Sequence, residues 1–232
     1  AVSGCLDGTG WRIDPASELS RGEYGVVHKA TGEGGLRAVM KIIRLRPNGW
    51  MGLVRGLAAS LEQFTTEVAA QNLAARMDLA VPIHAYYACG QPEEEPTLGF
   101  IFMDRIRGMT LEDWIVIHKS PSKPSDVSCT PQHHGTKFGV GSSGFITSEM
   151  HAALLEAIPK LDRHGLITED LHTANIMVDT SGPHEKMFFI DFGLAIKFRH
   201  KENQAVKFVL GGNFGCPLPA SFEDVKGFDA MH

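Results

Sequence analysis

At 232 residues with 43% hydrophobic side chains, the chain can bury a real core, as one large domain or as two small lobes, and wholesale disorder is excluded. Its 22 basic and 27 acidic residues leave a net charge of −5, too little of either sign to draw it onto nucleic acid or an anionic membrane, so neither partner is expected. No stretch approaches the ~20 apolar residues that cross a bilayer, and Ala1-Val2-Ser3-Gly4-Cys5 lacks the charged and apolar regions of a signal peptide, so a soluble intracellular protein is expected.

Residues 10 to 45 read as strands. Gly25-Val26-Val27-His28-Lys29-Ala30 and Leu36-Arg37-Ala38-Val39-Met40-Lys41-Ile42-Ile43 are β-branched runs around the turn Thr31-Gly32-Glu33-Gly34-Gly35, which predicts a hairpin. From Ser60 to Met77, Leu61, Phe64, Val68 and Leu73 recur at mostly helical spacing among many alanines, predicting one amphipathic helix. The segments Pro82 to Cys89 and Leu98 to Met103 flank the acidic turn Gln91-Pro92-Glu93-Glu94-Glu95-Pro96 and read as a second strand pair. The first half is thus a sheet with one helix.

A short helix is expected near Thr110 to His118. Residues 119–144 are dense in Ser, Pro, Gly, Thr and His, a composition that cannot bury enough apolar surface to fold alone, so a mobile insertion is expected. A second long helix is read from Thr147, as its N-cap, to His164, burying Met150, Leu154, Ile158 and Leu161 with a kink at Pro159. Two short strands follow, Ile176-Met177-Val178 and Met187-Phe188-Phe189-Ile190, around the turn Asp179 to Lys186. Cys5, Cys89, Cys129 and Cys216 lie far apart without a Cys-x-x-Cys pair, so free thiols in a reducing compartment are expected. His133-His134, near Cys129, reads as a solvated pair rather than the seed of a metal site.

Several segments carry chemistry. In Leu19-Ser20-Arg21-Gly22-Glu23-Tyr24-Gly25-Val26-Val27, the absent side chains of Gly22 and Gly25 let backbone amides approach phosphate oxygens. Lys41 sits on a strand from which an ammonium can reach α and β phosphates if a carboxylate on the next helix holds it. Glu67 is the candidate partner, because an acid on the sheet-facing side of that helix is costly to bury without a cation. The most specific pattern is Thr168-Glu169-Asp170-Leu171-His172-Thr173-Ala174-Asn175-Ile176-Met177-Val178, followed by Ile190-Asp191-Phe192-Gly193. Asp170 and Asn175, on a loop before a strand, can set a proton acceptor beside a nucleophile and an amide oxygen on a metal. Asp191, leaving a strand into a glycine turn, offers magnesium a hard carboxylate. His172, in the same loop, is a candidate to assist at the transferred phosphate or its acceptor.

In this order, glycine loop, strand lysine, helical glutamate, Asp-x4-Asn and Asp-Phe-Gly, the chain resembles the protein-kinase-like superfamily over about residues 15 to 198. The resemblance implies a bilobal α+β fold. Residues 1–103 would form an N-terminal lobe of antiparallel sheet and one helix, 104–107 a hinge, and 108–232 a reduced, mostly helical C-terminal lobe carrying the insertion. It implies ATP and magnesium in a cleft between the lobes. Ser20, Gly22, Gly25, Val27, Lys41 and Glu67 would line the phosphate side, Met103 the gatekeeper position, and Asp104 and Ile106 the hinge beside the adenine. Asp170, Lys41, Asn175 and His172 would serve catalysis, with Asn175 and Asp191 on the metal.

Most eukaryotic protein kinases place His-Arg before the catalytic Asp and Leu-Lys after it, where this chain has Thr168-Glu169 and Leu171-His172. Without that arginine, activation-loop phosphorylation is not expected to switch the chain on. Asp170-Leu171-His172 with Asn175 is more similar to the aminoglycoside phosphotransferase and lipopolysaccharide kinase branches, whereas the compact layout resembles RIO kinases and bacterial effector kinases. The stretch after Gly193 is too short for the peptide-docking helices of ordinary protein kinases. The resemblance therefore implies an atypical minimal Ser/Thr protein kinase with a protein substrate. A small-molecule kinase, and a pseudokinase acting as a binding module, are the alternatives left open by Ser20 and Thr168-Glu169.

Overall fold

The computed structural model describes residues 2–21, 25–46, 58–90, 96–130, 143–164, 166, 171–192 and 215–217. Gly22, the turn at 91–95, His133, His134, Asp170 and Gly193 lie outside the described residues. The architecture is mixed α+β, with an antiparallel sheet and a few helices. It divides into two compact units, Ala1–Arg76 with Val81–Arg105, and Met77–Ala80 with Ile106–His232.

The first unit contains α1 (Val2–Leu6), β1 (Arg12–Arg21), β2 (Gly25–Thr31), β3 (Arg37–Arg44), α2 (Leu61–Arg76), β4 (Ile83–Cys89) and β5 (Leu98–Asp104). The strands form one antiparallel sheet in the order β1-β2-β3-β5-β4. Between their end residues, the central strands β3 and β5 are apolar apart from Lys41, and side chains on both faces pack into the core. With period-two alternation, Met40, Phe100 and Phe102 pack with Leu6 and Ala30 on one face, while Ile43 and Ile101 pack with Phe64 and Val68 of α2 on the other. Each fully buried side chain of this size contributes on the order of 2 kcal/mol. Trp11 stacks on Phe102 with ring centroids 4.3 Å apart.

Helix α2 starts at a reciprocal cap. Gln63 N–H donates to Ser60 Oγ at 3.1 Å, and Ser60 N–H donates to Gln63 Oε1 at 2.7 Å. Its inward face is Phe64, Glu67, Val68 and Gln71, whereas Leu73, expected on the apolar stripe, is only half-buried. Gly99 of β5 faces this helix, and a Cβ there would stand 2.6 Å from the Phe64 ring, so the missing side chain is what admits the phenyl group.

In the second unit β6 (Gly108–Thr110), α3 (Leu111–Ile117), β7 (Val127–Cys129), β8 (Gly144–Ile146), α4 (Ser148–Arg163), β9 (Ile176–Asp179) and β10 (Lys186–Phe189) follow one another. The sheet order is β10-β9-β6, and β7 pairs with β8 alone. Thr110 caps α3 by accepting from Asp113 N–H at 3.0 Å, and Thr147 caps α4 by accepting from Met150 N–H at 3.1 Å. Met150, Leu154, Ile158 and Leu161 are all buried along α4, which runs through Pro159 without ending. The short segment 77–80 belongs here because Phe189 N–H donates to the Leu79 carbonyl at 2.8 Å and Lys160 Nζ donates to the Met77 carbonyl at 3.2 Å.

The described ends of the 119–144 segment include β7 and the start of β8, with Phe145 N–H donating to the His118 carbonyl at 2.8 Å and Cys129 only 1% exposed, and residues 131–142 of that segment lie outside the described residues. One sequence expectation needs correction. The cysteines are not free: Cys5 bonds Cys89 and Cys129 bonds Cys216. The partners are 84 and 87 residues apart, so only folding brings them together, and no spacing rule could pair them. Among the described residues no helix is long and apolar enough to cross a membrane.

Candidate functional site

In the first unit, the register of the sheet sets several of the singled-out residues in one row. Ser20 lies opposite Val27, Val27 opposite Lys41, and Lys41 opposite Ile101. Directly opposed residues share a face, so Ser20, Val27 and Lys41 lie on the α2 side of the sheet, as does Met103, two residues beyond Ile101. Gly25 is opposite Ile43, and a Cβ there would run into the Ile42 carbonyl. Close backbone approach to β3 thus requires a glycine at this position independently of any phosphate.

Lys41 and Glu67 meet. Lys41 Nζ donates to Glu67 Oε1 at 2.5 Å, with 15% and 5% of the side chains exposed. One turn further along α2, the buried amide of Gln71 donates to the Val81 carbonyl at 3.2 Å and contacts Met103 Sδ at 3.3 Å. That contact fixes Met103 against the helix, and nothing in the spacing of Gln71 announced it. Asp104 turns to the opposite face, where its carboxylate pairs with His84 Nε2 at 2.7 Å, and its own N–H donates to the Pro82 carbonyl at 3.2 Å. Ile106 is half-buried and opens the second unit.

In the second unit, residues 173–175 form one turn of 3-10 helix capped by His172, whose Nδ1 accepts from Ala174 N–H at 3.2 Å. Asn175 follows on the same turn, its side-chain amide 3.2 Å from His172 Nε2. Register then brings the next residue into place. Ile176 pairs with Phe189, and Ile190 N–H donates to the Asn175 carbonyl at 2.9 Å, so Asn175 and Ile190 are opposed and Asp191 comes one residue later. Asp191 is exposed with φ of 61°, a left-handed conformation that Asp tolerates better than most residues, while Phe192 after it is anchored at 2% exposure. Thr173 is fully buried, and its hydroxyl has no hydrogen-bond partner among the described residues, a cost of about 1–3 kcal/mol inside this turn.

Asn175 and Asp191 present an amide oxygen and a carboxylate from neighbouring backbone positions. Magnesium is commonly held by one or two such oxygen ligands, with water and substrate phosphate completing its octahedron, so this donor set fits that ion. Among the described residues no group of three or more His, Cys, Asp or Glu side chains could hold a metal. No protein-family model matches the chain, and no curated protein sequence matches it either.

Proposed function

We propose that this chain is a protein-kinase-like phosphotransferase that uses ATP and magnesium, with a serine or threonine hydroxyl of a protein as the acceptor. The observation that carries the reading is the Lys41–Glu67 pair. A buried ion pair stabilises a fold less than apolar packing of the same volume, so its presence in the core of a small unit is best understood as the fixing of an ammonium for a ligand. Lys41 would neutralise phosphate charge, Glu67 would hold its ammonium in place, and Asn175 and Asp191 would hold magnesium, which screens the negative charge of the phosphates when bound.

In the transfer itself the acceptor oxygen forms a bond to the γ-phosphorus as the bond from that phosphorus to the β–γ bridging oxygen breaks. ADP leaves with the bonding pair, and the hydroxyl proton passes to Asp170. His172, on the same turn as Asn175, would assist at the transferred phosphate or its acceptor. The Asp170-Leu171-His172 sequence supports a second reading, a small-molecule kinase. The pairing of all four cysteines favours an oxidising setting over the reducing compartment expected from sequence.

Incubation with γ-labelled ATP and magnesium, followed by mass spectrometry of the chain and of a panel of protein, sugar and lipid acceptors, tests the proposal. Label on Ser or Thr, lost in both Lys41→Ala and Asp191→Ala proteins, is the expected result. Label confined to a small molecule selects the second reading. Turnover that survives both substitutions overturns the assignment, and nucleotide binding without any turnover identifies a pseudokinase.

A further inference from the structure

The two disulfides sit in unlike surroundings. Cys129 and Cys216 are 1% and 7% exposed, and the main chain beside them is paired, with Thr130 N–H donating to the Gly215 carbonyl at 2.7 Å. Cys5 and Cys89 are both only half-buried, and Cys89 ends β4, an edge strand of its sheet. Thiol–disulfide exchange begins with a thiolate reaching a sulfur, so access alone separates the two bonds.

Little else holds the element that carries Cys5. Among the described residues no hydrogen bond ties residues 5–10 to the sheet: Thr9 N–H and the Thr9 hydroxyl both donate to the Leu6 carbonyl, at 3.1 and 2.7 Å. Between residues 6–12 and 31–35 lies a cavity of about 730 Å³ in place of packed side chains. The attachment consists of Leu6, buried beside Phe100 and Phe102, of Cys5 packed on the same cluster, and of the disulfide itself. Trp11, stacked on Phe102, marks where the chain rejoins the sheet. A five-residue helix does not persist once such an attachment is lost.

We propose that Cys5–Cys89 is a redox-operated latch: a dithiol opens it in the folded chain and α1 leaves the sheet, while Cys129–Cys216 stays closed. One thiolate of the dithiol bonds to a sulfur of the pair as the S–S bond breaks, and the displaced cysteine leaves as a thiolate that takes up a proton. The second thiolate of the reductant then attacks the mixed disulfide and releases the other cysteine in the same way. The protein gains two electrons and two protons, and the reductant ends as a cyclic disulfide. Opening exposes the parts of Phe100 and Phe102 that Leu6 covers and removes one wall of the cavity. The latch does not depend on the phosphotransferase reading.

The test uses the whole chain without denaturant. Dithiothreitol is added for increasing times, free thiols are trapped with iodoacetamide and located by peptide mass spectrometry, and hydrogen exchange is followed on the same samples. Cys5 and Cys89 are expected to be trapped together, roughly tenfold or more faster than Cys129 and Cys216, with residues 2–11 losing protection and β2, β3 and β5 keeping theirs. Re-oxidation is expected to restore the protection. Trapping of Cys129 and Cys216 first, or at an equal rate, overturns the proposal. So does trapping of Cys5 and Cys89 that comes only with loss of protection across the sheet, or that leaves residues 2–11 protected. An unreduced Cys5→Ser/Cys89→Ser protein is expected to reproduce the exchange pattern of the opened chain. Protection there equal to that of the closed parent, or lost throughout the sheet, overturns the latch however readily the bond is reduced.

Discussion

Replacing Cys5 and Cys89 by alanine should cost the first unit a large share of its stability. The bond spans 84 residues, and cross-linking a loop of that length removes about 15 cal/mol/K of entropy from the unfolded chain, or about 4.6 kcal/mol at 25 °C. Measured losses usually fall below that ceiling, so roughly 2–4 kcal/mol is expected, against about 5–15 kcal/mol for a typical domain. The local structure argues for the same size of effect. Helix α1 has five residues, far too few to persist unaided, yet it delivers Leu6 to the core beside Phe100 and Phe102. The Cys129–Cys216 bond closes 87 residues, and its loss should weaken the second unit by a similar amount. There Thr130 N–H donating to the Gly215 carbonyl, and His151 Nε2 at 2.7 Å from the Pro217 carbonyl, would be left to hold residues 215–217. Urea denaturation without reductant, followed by hydrogen exchange resolved along the sequence, separates the two effects. Each cysteine pair should lower protection in its own unit. A Cys5→Ala/Cys89→Ala protein with an unchanged midpoint, or one that loses protection only in the second unit, would refute the loop-entropy reasoning.

Gly99→Ala should destabilise by about 1–3 kcal/mol, because its Cβ would press on the buried Phe64 ring, and adding Phe64→Leu should recover part of the loss in thermal melts. Lys41→Met should cost about 3 kcal/mol by leaving the Glu67 carboxylate in the core without this ammonium, while Lys41→Met/Glu67→Leu should be the more stable of the two proteins; a double variant weaker than the single one counts against that account. Thr173→Val should raise stability by about 1 kcal/mol, since it exchanges a buried hydroxyl with no partner among the described residues for a methyl of the same shape, and a fall in the urea midpoint would show that the hydroxyl has a partner.

Much of the secondary structure was legible in the chain, because the signals were local. The β-branched run at 37–44, the Thr147 cap, and the Met150-Leu154-Ile158-Leu161 spacing each specify an element through contacts within a few residues of themselves. Glu67 could be named in advance as the partner of Lys41 because a buried acid needs a cation and only certain positions on one helix face a strand.

Other features depended on residues far apart. Cys5 and Cys89, or Cys129 and Cys216, carry no sign of each other. Gln71 meets Met103, and His172 meets Asn175, through side-chain directions that periodicity does not encode. Sequence alone determined the elements and the residue types that could do phosphate chemistry, since propensity, capping and burial patterns act over a single turn or strand. Tertiary structure decided which thiols joined and which glycine had to stay bare, since those depend on distances that only the folded backbone sets.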